Sequence, residues 1–163
     1  MIKKCLLLGF MGIVGVICTV QGKVYLKTVI NKTDSLITIN SEAKRLGVVE
    51  KNSTKNFTIE LPDASVYFTR KTTGATIELQ SSFTQEFDRK IIHEQDRVVV
   101  YVKGFTLFKL SSNGHVIDEE NFLAEVPLVS LGKETTDLFV EITLDGENLE
   151  KSKIDVSGAR YPK

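Results

Sequence analysis

Leu138-Phe139-Val140-Glu141-Ile142-Thr143-Leu144-Asp145-Gly146 decides the fold class of this chain. Leu138, Val140, Ile142 and Leu144 fall on every second position, with Glu141 and Thr143 between them. An extended strand turns successive side chains to opposite faces, so the stretch offers one apolar face and one wetter face. On a helix the same four residues would scatter around the axis. Asp145 and Gly146 then end the run, as turn residues do.

Working outward, the same grammar recurs in runs rich in Ile, Val, Phe and Thr, separated by Gly, Asn, Asp and Lys. Residues 24–30 and 36–40 read as a hairpin about the cluster Asn31, Lys32, Thr33 and Asp34. A single helical turn is expected at 41–46. Phe57, Ile59 and Leu61 alternate with Thr58 and Glu60 until Pro62 and Asp63 break the strand. Val66 and Phe68 lead to a turn at 71–74, from which Ala75, Ile77 and Leu79 pair back. Residues 83–94 fit a helix by the spacing of Phe83, Phe87 and Ile91 and a strand by their composition; the strand is preferred, closed by Glu94, Gln95 and Asp96. Residues 98–102 suggest a central strand, and Gly104 a bulge or bend after it.

Asn113-Gly114 is the strongest local signal, because a type I′ turn needs φ > 0 at both central positions. It should pair residues 115–118 with 108–111, ahead of an acidic loop of Asp118, Glu119 and Glu120. An apolar segment at 127–131, the run already quoted, a strand at 154–156 and a fraying tail from about residue 157 complete the pattern. Nine or ten short strands without a long helix imply an all-β domain: an antiparallel β-sandwich of immunoglobulin-like architecture, or a partly open barrel.

The first 22 residues have a different character. Lys3 and Lys4 precede an uncharged run over 5–20, with Gln21 and Gly22 following. This is the order of a signal peptide, and the run is shorter than the roughly 20 residues that span a bilayer as a helix. Cleavage after Gly22 is expected, since Val20 and Gly22 occupy the positions where small residues are wanted. Retention of 5–20 as a membrane anchor is the alternative, and acylation at Cys18 a third fate. The division is therefore 1–22 signal and 23–163 one domain, secreted or periplasmic. Both cysteines, Cys5 and Cys18, lie in the signal, so the mature domain has no disulfide or thiol chemistry. Of 21 basic residues two leave with it, giving 19 against 21 acidic and a charge of about −2. Such a balance argues against nucleic acid as a partner, and membrane contact is expected only through an uncleaved signal.

Candidate chemistry is sparse. His93 and His115 are the only histidines, and His93-Glu94 lacks the second histidine a zincin helix needs. A shared site would require both to lie at one end of the domain. Asp145-Gly146-Glu147-Asn148 with Glu150 matches a fragment of a calcium loop. No Gly-x-Ser-x-Gly elbow and no phosphate-cradling loop is present. No catalytic, cofactor-binding or metal residues are therefore assigned, and no cofactor is expected. Asn31, Asn52 and Asn56 open N-x-Ser/Thr triplets, which in a eukaryotic secretory pathway would have to face solvent to carry glycans. Tyr67 and Phe139, out of phase with the core, suggest a recognition patch or a second packing layer.

The expectation is an exported, non-enzymatic module acting by adhesion, envelope association or binding of a protein or carbohydrate. Its recognition surface would be Asn113, Gly114 and His115 with Asp118, Glu119 and Glu120. A secreted hydrolase or carbohydrate-active enzyme on the same scaffold, and an exported protease inhibitor, are the competing classes.

Overall fold

A computed structural model describes residues 5–7, 16–18, 23–42, 44–61, 65–94, 97–127 and 137–158, with backbone alone at 5–7, 16–18, 83–94, 97–105 and 123–127. Among the described residues every regular element is a strand. β1 (Cys5–Leu7) and β2 (Val16–Cys18) pair antiparallel as a small separate sheet. The others are β3 (Val24–Asn31), β4 (Ile37–Ser41), β5 (Lys44–Val49), β6 (Ser53–Glu60), β7 (Val66–Arg70), β8 (Thr76–Glu94), β9 (Arg97–Ser112), β10 (His115–Pro127), β11 (Leu138–Leu144) and β12 (Lys153–Gly158). They form a six-stranded sheet, ordered β10-β9-β8-β7-β4-β5, and a four-stranded sheet, ordered β12-β11-β3-β6. These are two separate ladders, not a closed barrel. The strand break expected at Pro62 and Asp63, the closing residues Gln95 and Asp96, most of the 127–131 segment and the tail past Gly158 lie outside the described residues.

One hydrophobic cluster lies between the sheets. The four-stranded sheet supplies Leu26, Val29, Leu138, Val140, Ile142, Leu144 and Ile154, and the six-stranded sheet supplies Ile37, Ile39, Val49, Val66, Phe68, Ile77, Leu79, Phe108, Leu110 and Phe122. β11 alternates buried and half-buried along its whole length, as its sequence predicts. β3 departs from strict alternation: Leu26 and Val29, three apart, are both fully buried. Lys27 is an extra residue against β11, while against β6 it faces two residues, Phe57 and Thr58, so both ladders of β3 shift register across it and the strand keeps two apolar residues inward.

Each lateral boundary between the sheets carries a tie. On one side the Phe57 ring of β6 covers Gly47 of β5, where an added Cβ would come within 2.9 Å of the ring. Lys55 Nζ donates to the Val48 carbonyl beside it at 3.1 Å. On the other side the Ile154 N–H of β12 donates to Asp118 Oδ2 of β10 at 2.7 Å.

Several expectations are corrected. β3 and β4 are not a hairpin: β3 pairs with β6 and, in parallel, with β11, while β4 pairs with β5 and β7. Residues 32–36 carry the chain from one sheet to the other. The helical turn at 41–46 is instead the tip of the β4–β5 hairpin, Ser41 opposite Lys44. Gly104 sits in regular register between Gln85 and Ala124, and the irregularity is on β8, between Glu86 and Lys90. The acids at 118–120 belong to strand β10 and not to a loop.

Residues 83–94 are strand, as preferred, yet β8, β9 and β10 are not short: they run 19, 16 and 13 residues. β7 pairs with β8 only as far as Leu79, and among the described residues β8 beyond that point pairs with β9 alone. At about 3.4 Å per residue, the part of β8 past Ser82 runs for roughly 40 Å.

Candidate functional site

Register brings the connections after β3, β5, β7, β9 and β11 to one end of the domain. Ser112 Oγ reaches the Thr76 carbonyl at 3.3 Å, Thr76 faces Thr69, and Arg70 faces Ile37 at the exit of the 32–36 crossover. Asn31 and Leu144, paired in β3 and β11, end their strands at this same level.

Asn113 and Gly114 take φ of 49° and 80° and join Ser112 to His115 directly, so the type I′ turn forms where the sequence places it. Both turn residues and His115 are exposed. Val116, next along, is 53% exposed and is the one large hydrophobic residue so exposed among the described side chains. The cause is a bulge at Ile117: Val116 faces Ser111 but Asp118 already faces Leu110, so the extra residue turns Ile117 toward the core and Val116 out. The acids that follow do not converge. Asp118 accepts the Ile154 N–H, Glu119 is exposed opposite Lys109, and Glu120 is half-buried opposite Phe108.

Behind this tip the crossover is a buried hub. Asn31 is 1% exposed, and its Nδ2 donates to the carbonyls of Ser35 at 2.7 Å and Glu50 at 2.9 Å, with Val49 O a longer third contact at 3.3 Å. Its Oδ1 accepts the Thr33 N–H at 3.0 Å and the Thr33 hydroxyl at 2.7 Å. The crossover backbone is held in turn by Lys32 N–H to Leu144 O, Asn52 N–H to Thr33 O and Lys71 N–H to Leu36 O. A buried backbone must find partners for its polar groups, and here a side-chain amide supplies both donor and acceptor. Arg70, 7% exposed, gives its guanidinium to the Glu147 carbonyl and to the carboxylate of Asp34, which is 78% exposed, while its Nε has no partner among the described residues. One side chain thus links β7, the crossover and the 145–152 loop.

That loop uses its carboxylates on its own backbone. Asp145 Oδ1 accepts the Gly146 N–H and Glu150 Oε2 accepts the Asn148 N–H, both at 2.7 Å. Bonds from the Glu150 and Asn148 N–H groups, in that order, hold the Glu150 carboxyl below its ordinary range. The calcium-loop fragment is therefore a self-capped turn, and among the described residues no three His, Cys, Asp or Glu side chains gather as a metal site would require. Gly146, at φ 86°, lies under the Glu150 carboxylate, and an added Cβ would meet it at 2.7 Å. Gly146→Ala is expected to cost about 1–3 kcal/mol, read as a lower urea midpoint at unchanged m-value.

The remaining candidates separate. Asn31 is enclosed with its amide fully engaged, so the requirement that all three triplets face solvent fails there; Asn52, in a left-handed conformation at φ 49°, and Asn56 are exposed. His93 lies opposite Val98 on β8, 15 residues beyond Glu78, which is level with Ser111. Some 50 Å of strand at ordinary rise places it away from His115, so the two histidines do not share an end. Phe139 stacks on Tyr25, centroids 5.9 Å apart at 19°, with Lys27 Nζ 5.2 Å from the ring. Tyr67 gives its hydroxyl to Glu78 Oε1 at 3.4 Å.

Sequence reasoning overlooked Asn31 and Arg70 as structural polar residues, although a signal was present. Arg70 continues the inward phase of Val66 and Phe68, and Asn31 continues that of Val29. A polar residue in an apolar phase marks a buried polar group that must be satisfied. A scan against protein-family models, a search of curated proteins and a search of solved structures each found no match to this chain.

Proposed function

We propose that this chain is an exported, non-enzymatic β-sandwich module that binds a protein partner through the β9–β10 hairpin tip, residues Asn113 to Val116. The observation that carries the reading is the exposure of Val116 beside His115 on a stiff two-residue turn. An apolar side chain held in water on a rigid backbone loses little conformational freedom when a partner covers it. The Asp118 tie fixes β10 immediately behind the tip, so the contact surface is presented by the whole two-sheet body. A hydrolase reading is less well supported, since Asp118 and Glu150 at this end already accept backbone N–H groups.

The test is capture from the envelope and medium of the exporting cell on immobilised protein, wild type against Val116→Asp. A partner retained by wild type and weakened on the order of tenfold by the substitution, at unchanged thermal midpoint, is the expected result. Equal retention by both proteins would rule out the tip as the binding surface. Turnover of a small molecule with no retained partner would replace a binding role with a catalytic one.

A further inference from the structure

We infer that the bond between Gly22 and Lys23 is the processing site of this chain, and that Asp137 is the counter-ion of the ammonium group its cleavage creates. Among the described residues the hydrogen bonds of the four-stranded sheet begin at Lys23. Its nitrogen lies 2.9 Å from Asp137 Oδ1, its carbonyl accepts the Leu138 N–H at 2.8 Å, and its Nζ lies 3.1 Å from Glu60 Oε2. The next residue already sits in the ladder, with the Leu61 N–H donating to Val24 O at 2.7 Å. A carboxylate aimed at a backbone nitrogen meets one neutral donor inside a chain, but three donors and a full positive charge at a chain terminus. Charge-assisted bonds of that kind are the stronger ones. The position is therefore better matched to an N-terminus than to an interior peptide.

The residues before it fit the same reading. Gly22 and Val20 stand where a signal peptidase accepts small side chains, behind the uncharged run of 5–20. The step consumes one water: the Gly22 C–N bond breaks, the acyl carbon gains oxygen and becomes a carboxylate, and the Lys23 nitrogen takes up protons as an ammonium. The exporting cell's signal peptidase supplies the catalysis. Among the described residues the charged and titratable groups about the new terminus are Asp137 before β11, Glu60 at the end of β6, the Lys23 side chain and Tyr25. Glu60 is engaged by Lys23 Nζ, whose pKa it raises through its hydrogen bond and charge, which leaves Asp137 for the terminus.

The inference rests on the export reading for the cleavage, while the capture by Asp137 stands on geometry. It is tested by expressing the full chain with its own residues 1–22 in an exporting bacterium. The intact mass and N-terminal sequence of the product are then read, and its α-amine is titrated by NMR in wild type, Asp137→Asn and Asp137→Glu. The product is expected to begin at Lys23. Its α-amine should stay protonated above the range of about 7.7–8.0 found for free termini, and Asp137→Asn should return it there. A terminus whose pKa is raised by folding stabilises the native state below that ordinary value, and the effect fades as pH rises through the folded one. Asp137→Asn should thus lower the thermal midpoint by roughly 1–4 °C at pH 7, with the difference closing at high pH and Asp137→Glu recovering part of it. A product retaining Met1 would overturn the processing site and the cleaved form of export with it, and one beginning at an acylated Cys18 would overturn the processing site alone. A product beginning at Lys23 whose α-amine titrates alike in wild type and Asp137→Asn would overturn the capture and leave export standing.

Discussion

Val140→Asp is expected to abolish cooperative unfolding, whereas Glu141→Lys, one residue along, should leave the thermal midpoint within a degree or two. Val140 is fully buried in the middle of β11, paired with Val156 on one side and Leu26 on the other. A carboxylate placed there meets apolar side chains from both sheets. Buried with no partner, it costs several kcal/mol as an ion, and still loses its water hydrogen bonds if it takes up a proton. That loss, added to the lost apolar contact, is comparable with the whole stability of an ordinary domain, about 5–15 kcal/mol. Glu141 lies half-buried on the outer face, directly opposite Asp155 of β12 and Thr28 of β3. Replacing it by lysine exchanges a like-charge cross-strand pair for an opposite-charge one, which is neutral to mildly favourable. Circular dichroism melts of the two variants decide the matter. Equal tolerance would mean that β11 does not bury the face assigned to it.

Asn31→Ala should destabilise the domain by about 2–4 kcal/mol, far more than the loss of one surface amide. The substitution strands the buried Thr33 N–H, which donates to Asn31 Oδ1, and removes one donor from each of the Ser35 and Glu50 carbonyls, which keep the Thr33 and Ser53 hydroxyls. An unsatisfied buried polar group costs about 1–3 kcal/mol, and the two carbonyl hydrogen bonds lost with it about 0.5–1.5 kcal/mol each. Asn31→Asp restores only the acceptor and adds a buried charge, so it should do no better. Asn56→Ala is the control: Asn56 is exposed and its side chain accepts, among the described residues, only the Thr28 hydroxyl at 3.3 Å, so its loss should fall within about 0.5 kcal/mol. Urea denaturation of the three variants checks the ordering. Similar small losses at positions 31 and 56 would show that the crossover is not held by the amide hub.

What was legible in the residues was phase. The alternation of β11, the Val66 and Phe68 strand with its turn at 71–74, and the Asn113-Gly114 hairpin all stand where the chain's own pattern places them. Even the inward polar residues were written there, since Arg70 and Asn31 keep the step of the apolar residues before them. The candidate tip was legible as a turn. The exposure of Val116 was not, because it follows from a bulge at Ile117 that alternation alone does not announce. The same holds for β3, where Lys27 is an extra residue against β11 and interrupts the count.

Strand partners were decided only by the tertiary structure. Residues 31–34 have hairpin composition, yet the chain crosses between sheets there, and nothing in a period of two distinguishes the two outcomes. The difference lies in distant groups: the carbonyls of Glu50 and Val49 that Asn31 reaches, and the parallel strand β11 that takes the place a hairpin partner would have had. By itself the order of residues determined that this protein is built from strands and which side chains turn inward, because each side chain's direction follows from its immediate neighbours. Which strands meet, and that a carboxylate at 137 waits beside the nitrogen at 23, came from closing the two sheets on one core, where contacts more than a hundred residues apart are made together.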